Sequence, residues 1–162
     1  MKALALAAAL FVALPATAQD MATFTTEDAK LMTTCIEGLS DPDREVRGQS
    51  QCVGTASNSC METEDGGYTT IGMVDCMSRE TDWWDSQLNA SYSSLRETLD
   101  TNLFETLQDA QRSWIAYRDK SCGFEYDMWG DGSMRSIAHA SCMLDETARR
   151  AETLWRYLNP EG

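Results

Sequence analysis

Six cysteines and a single histidine are the residues of this 162-residue chain with the widest chemical range. Cys35, Cys52, Cys60, Cys76, Cys122 and Cys142 are of a type that ligates metals, attacks carbonyls or pairs as disulfides. A metal site needs clustered donors such as C-x-x-C; that spacing does not occur, and His139 is the one imidazole. A nucleophilic site needs a free thiol beside a base, whereas an even cysteine count points to thiols consumed in bridges. Acidic residues are numerous, 26 Asp and Glu. Carboxylate-driven glycoside hydrolysis, however, requires two placed groups in a sugar-binding cleft, which abundance does not supply. Glu62-Thr63-Glu64-Asp65 and Asp127 to Asp131 lack the ligand spacing of a calcium loop and read as solvated turns. A phosphate loop, a nucleophile elbow and H-E-x-x-H are all missing. The chain reads as a non-enzyme, with no catalytic residue, metal or cofactor expected.

The densest polar-aromatic stretch is AQRSWIAYRDKSC, Ala110 to Cys122. Trp114 and Tyr117 fall on an apolar stripe, so both are expected in the core or at its boundary. Arg118 lies one turn from Trp114 and from Cys122, close enough to cover the ring or to reach a carboxylate on a neighbouring helix. Gln111 is placed to bond a polar group between helices.

Residues 1–18 explain why the cysteines should be oxidised. Lys2, the apolar run from Ala3 to Leu14 and Ala16-Thr17-Ala18 have the layout of a secretory signal peptide cleaved after Ala18. The apolar run is too short to span a bilayer, so no membrane insertion is expected. A periplasmic or secreted location follows, and with it a disulfide framework. Six cysteines admit fifteen pairings that order alone does not resolve. Nearest-neighbour closure is preferred: Cys35 with Cys52, Cys60 with Cys76, and Cys122 with Cys142. Each such loop of roughly 15–20 residues would contribute about 3 kcal/mol by the chain-entropy argument.

The net charge of −13 becomes −14 without Lys2. Such acidity argues against nucleic acid and anionic lipid, both of which are bound by Lys and Arg, and would steer cationic partners inward. Oligomeric state is not specified by any of these features.

The elements that carry these residues are helical. Met73, Met77, Trp84, Leu88, Tyr92, Leu95 and Leu99 recur at steps of three, four or seven and predict one long helix from about Ile71. Asp100-Thr101-Asn102 supplies a break and N-cap, after which Leu103, Leu107, Ala110, Trp114 and Tyr117 predict a second. So short a connection implies an antiparallel hairpin. MWGDGS, Met128 to Ser133, turns the chain. Ile137, Ala140, Leu144, Ala148, Ala151, Leu154 and Leu158 then predict a C-terminal helix ending at Asn159-Pro160. A shorter helix is expected over Thr26 to Leu39, with Leu31, Cys35 and Leu39 on one side, stopping before Asp41-Pro42. Cys52 to Gly72, rich in Gly, Ser, Thr and Asn, is expected as an irregular loop held by bridges. The fold class is all-α, a small disulfide-stapled helical bundle with a long antiparallel hairpin plus a C-terminal helix.

Three motifs in order carry a resemblance. L-N-x-x-Y (Leu88, Asn89, Tyr92) is followed by A-Q-x-x-W-x-x-Y-R-D-x-x-C (Ala110, Gln111, Trp114, Tyr117, Arg118, Asp119, Cys122). A cysteine with T-x-x-R-x-x-x-L then follows (Cys142, Thr147, Arg150, Leu154). This pattern resembles the LprI-like lysozyme inhibitor domain family over about Cys60 to Leu158. Cys60 with Cys76 looks like the family's first cysteine pair and Cys122 with Cys142 like its second. The resemblance implies a small exported helical protein whose named activity is inhibition of lysozyme, with protection of the cell wall as the consequence. Together with the signal peptide read above (1–18), it leaves an N-terminal helical extension (19–55) that it does not explain, followed by an LprI-like helical domain (56–160). The motif residues read as scaffold, with Arg118 and Arg150 expected to partner carboxylates such as Asp85 or Asp119.

The expected function is that of an exported binding protein docking on a basic lysozyme by charge complementarity. Glu62, Glu64, Asp65, Asp127 and Asp131 are the candidate binding loops. The alternative is an envelope-associated protein-interaction domain with a different partner and no inhibitory activity.

Overall fold

A computed structural model describes residues 24–39 and 48–160. The signal peptide expected over 1–18 and the stop at Asp41-Pro42 lie outside the described residues. Among these described residues five α-helices follow in order: α1 (Thr26–Gly38), α2 (Thr55–Thr63), α3 (Thr70–Thr98), α4 (Thr101–Met128) and α5 (Met134–Leu158). A 3-10 turn, Gln49–Cys52, precedes α2. There is no strand among the described residues, and the fold is an all-helical, disulfide-linked bundle.

Local chemistry sets the helix starts. Thr25 and Asp28 form a reciprocal capping box on α1. Thr69 caps α3 through the N–H of Gly72, and Asp100 caps α4 through the N–H of Leu103. Once α3 and α4 are started, burial of their stripes holds them, since propensity alone rarely does.

The packing places α5 at the centre. Its most extensive contact is with α3 and its next with α4. Gln111 meets Arg150, Cys122 joins Cys142 and Tyr126 meets His139, so α4 and α5 run antiparallel. Ser91 shares a groove with Ala151 and Trp155, and Leu95 and Leu99 share one with Arg156 and Tyr157; α3 and α5 are therefore parallel. The chain does reverse at Asp100, where Tyr92 packs on Phe104 with ring centroids 5.3 Å apart. Beyond that turn the two arms are held through α5 more than by each other. Trp84, Leu88, Leu95, Leu144, Ala148 and Leu154 form the centre of the core. On α1 the deepest residue is Met32, with Cys35, Ile36 and Leu39 beside it.

The segment expected to be an irregular loop from Cys52 to Gly72 is partly helical, a correction with a clear cause. Gly54 takes φ +91, which glycine adopts without strain, and turns the chain into α2. The start of α2 is then capped from α3: Glu80 accepts from the N–H of Gly54 at 2.8 Å and of Ser57 at 2.7 Å. Gly72 lies so close to the backbone of Gly66 and Gly67 that a side chain there would collide, which lets the α2–α3 turn fold tightly. All three bridges join neighbours in the chain, Cys35–Cys52, Cys60–Cys76 and Cys122–Cys142.

Candidate protein-binding site

The AQRSWIAYRDKSC stretch lies within α4 and turns part of its length toward α5. Trp114 is half-buried between two guanidinium groups, Arg118 at 5.0 Å and Arg150 at 5.9 Å from the ring centre. Arg150 Nε donates to Gln111 Oε1 at 2.8 Å, the inter-helix polar contact expected of Gln111. Arg118 pairs with Asp119 of its own helix at 2.9 Å. Contrary to the expected pairing, no carboxylate among the described residues pairs with Arg150: its partner is an amide, while Asp85 is bonded by Asn89 at 2.8 Å. Burial lowers the Arg150 pKa from its ordinary value, with Tyr157 acting in the opposite direction. Arg150 Nη2 and Thr147 Oγ1, both enclosed, have no hydrogen-bond partner among the described residues.

Tyr117 is 57% exposed and so is neither core nor boundary. At 100° per residue it falls about 80° from the direction of Leu107, whereas Gln111, Trp114, Arg118 and Cys122 stay within about 60° of it. The face toward α5 therefore continues through an arginine, which an apolar stripe misses. Leu88, Thr147 and Leu154 are buried, and Tyr92 is half-buried against Phe104. His139 packs edge-on against Tyr126 at 6.2 Å and faces no free thiol, since all six cysteines are bridged.

The candidate loops behave differently. Glu62 and Asp127, expected in loops, lie instead in the last turns of α2 and α4; because α3 and α5 start and α4 ends at one end of the bundle, they lie at that same end with Glu64, Asp65 and Asp131 of the adjoining turns. Glu62, Asp65 and Asp127 are exposed. Asp131 is exposed too, with Arg135 at 3.7 Å. Glu64 is half committed to scaffolding, because its carboxylate receives Arg79 Nη2 at 2.8 Å. The same buried Arg79 reaches Asp28 at 3.2 Å and so ties α1, the end of α2 and α3 together.

The sequence reading missed what accompanies these charges. Tyr68, Ile71, Phe124, Met128, Trp129 and Met134 are all exposed, and all belong to this end. Their signal was in the sequence, as aromatics and methionines flanking the two turns. Only the fold shows that the two turns lie at the same end of the bundle. Exposed aromatic and methionine side chains among charges are the composition of protein-binding surfaces.

The described residues form an all-helical bundle with three bridges, one end of which carries acidic and large apolar side chains exposed together. The model of the family described as lysozyme inhibitor LprI matches residues 60–154, more than half of the chain, and the chain belongs to that family. No curated protein and no solved structure matches it. The match begins at Cys60, in the second half of α2. Bridged cysteines suit an exported protein, and no helix among the described residues is long and apolar enough to cross a membrane.

Proposed function

We propose that the protein is an exported inhibitor-type binding protein that docks on a basic lysozyme and keeps it from the cell wall. Membership of the lysozyme inhibitor family carries this reading. The charge of the chain supports it, since an acidic surface is drawn to a cationic enzyme and is held there most strongly at low ionic strength. Glu62, Asp65, Asp127 and Asp131 are the steering residues in this reading, with Glu64 contributing only its solvent-facing part. A periplasmic or secreted location places the protein where lysozyme would be met.

The test is lysis of a cell-wall suspension by an animal-type lysozyme, with the oxidised protein, lacking residues 1–18, titrated in at low and at moderate salt. Inhibition that saturates near one equivalent and weakens with salt is expected. Undiminished lysis at excess protein would overturn the reading and leave an interaction domain with another partner.

A further inference from the structure

A groove of about 480 Å³ runs between the end of α4 and the start of α5. Its apolar part is made by Trp129, Met134 and Ile137, with Trp129 48% and Met134 43% exposed. Its carboxylates are Glu125, Asp145 and Glu146. Arg149 reaches Glu146 at 3.6 Å, which leaves Glu125 and Asp145 as the carboxylates outside any ion pair among the described residues. The Cys122–Cys142 bridge joins α4 to α5 within the groove, Cys142 lining it, and so fixes the two walls against each other.

We infer that this groove is the anchor site for a basic side chain of the partner, an arginine or lysine presented on a loop of a cationic protein. An arginine or lysine has an apolar stem and a charged tip. The stem matches Trp129, Met134 and Ile137, and an aromatic face also attracts the cation itself. Glu125 and Asp145 match the tip. A second copy of this chain is a poor occupant, because it would bring further carboxylates to a site already negative. The inference rests on the proposed function for its partner and assigns the contact to residues other than the acidic turns.

Two arms separate its failure from failure of that function. In the first, lysozyme binding is measured for wild type, for Glu125→Gln/Asp145→Asn, for Trp129→Ala, and for Glu97→Gln/Glu105→Gln. The last removes the same charge at the far end of the bundle. Loss of about tenfold in affinity for the first two variants, with the far-end variant near wild type, is expected. Equal loss for both charge variants would reduce the effect to net charge and overturn the groove. In the second arm, the indole N–H resonance of Trp129 is followed while a short arginine-containing peptide is added. A saturable shift that the groove charge variant abolishes upholds the site even if lysozyme does not bind, in which case only the proposed function fails. An unmoved Trp129 resonance in the second arm, or a dimer formed through this face, overturns the inference.

Discussion

Glu80 and Trp84 are enclosed side by side in α3, and the indole Nε1 donates to Glu80 Oε1 at 3.1 Å. The same carboxylate receives two backbone N–H groups from the start of α2, so one buried charge is satisfied by three donors. Glu80→Ala leaves three buried donors without a partner, at about 1–3 kcal/mol each, and is expected to destabilise the fold by at least about 3 kcal/mol. Glu80→Gln, which keeps one acceptor oxygen but turns an amide toward a donor, is expected to cost about 1–3 kcal/mol. Urea unfolding of the oxidised protein followed by circular dichroism measures both, and a neutral Glu80→Ala would refute the capping role.

The two tryptophans of the helical seams should respond unequally. Trp84 has no solvent exposure, and its replacement by alanine is expected to cost about 3–5 kcal/mol. Trp114 is half-buried, and it loses packing plus two guanidinium contacts, for about 1–3 kcal/mol. Equal losses in the same unfolding assay would mean that Trp114 is as deeply enclosed as Trp84.

Removal of the first bridge tests how the segment before the family match is held. Cys35→Ala/Cys52→Ala opens a loop with a sequence separation of 17 and is expected to lower stability by about 3 kcal/mol. The Arg79–Asp28 pair and the Thr25 cap persist, so α1 should remain docked in the folded state. Amide exchange in α1 would then rise without reaching that of an unfolded segment. Complete loss of protection there, with α3 to α5 unaffected, would show that the bridge alone holds α1.

A pH effect of defined sign is expected at Asp82. Burial raises its carboxyl pKa above 3.8, and the charge of Asp85 adds to the rise. A carboxyl that holds its proton more readily in the folded chain than in the unfolded one loses stability for the fold as pH climbs past 3.8 and the group ionises. Asp82→Asn removes that loss. The variant should melt above wild type at pH 7, within the roughly 0.5 kcal/mol of a surface substitution, and match it near pH 3. A variant less stable at pH 7 would reverse the assignment.

What the residues disclosed in advance, and what they concealed, follows from the range of the interactions involved. The α3 and α5 stripes were legible because burial there repeats along one helix, through Trp84, Leu88 and Leu95 and through Leu144, Ala148 and Leu154. α2 was not, because its cap is Glu80, 26 residues from Gly54. Tyr117 was misplaced because Arg118 occupies the inward direction that an apolar residue would have marked. The acidic residues could be picked out by composition, but their lying at the same end of the bundle as Trp129 and Tyr68 depends on α3 and α5 being parallel, a relation without a local signal.

The three bridges have one more consequence, for how the chain acquires its covalent structure. Each cysteine is joined to the next one along, at separations of 17, 16 and 20 residues. Of the fifteen ways to pair six cysteines, this one never requires a thiol to wait for a partner beyond its immediate successor. A chain delivered N-terminus first into an oxidising compartment can thus oxidise in the order in which it emerges, without a reshuffling step between the first bridge and the last.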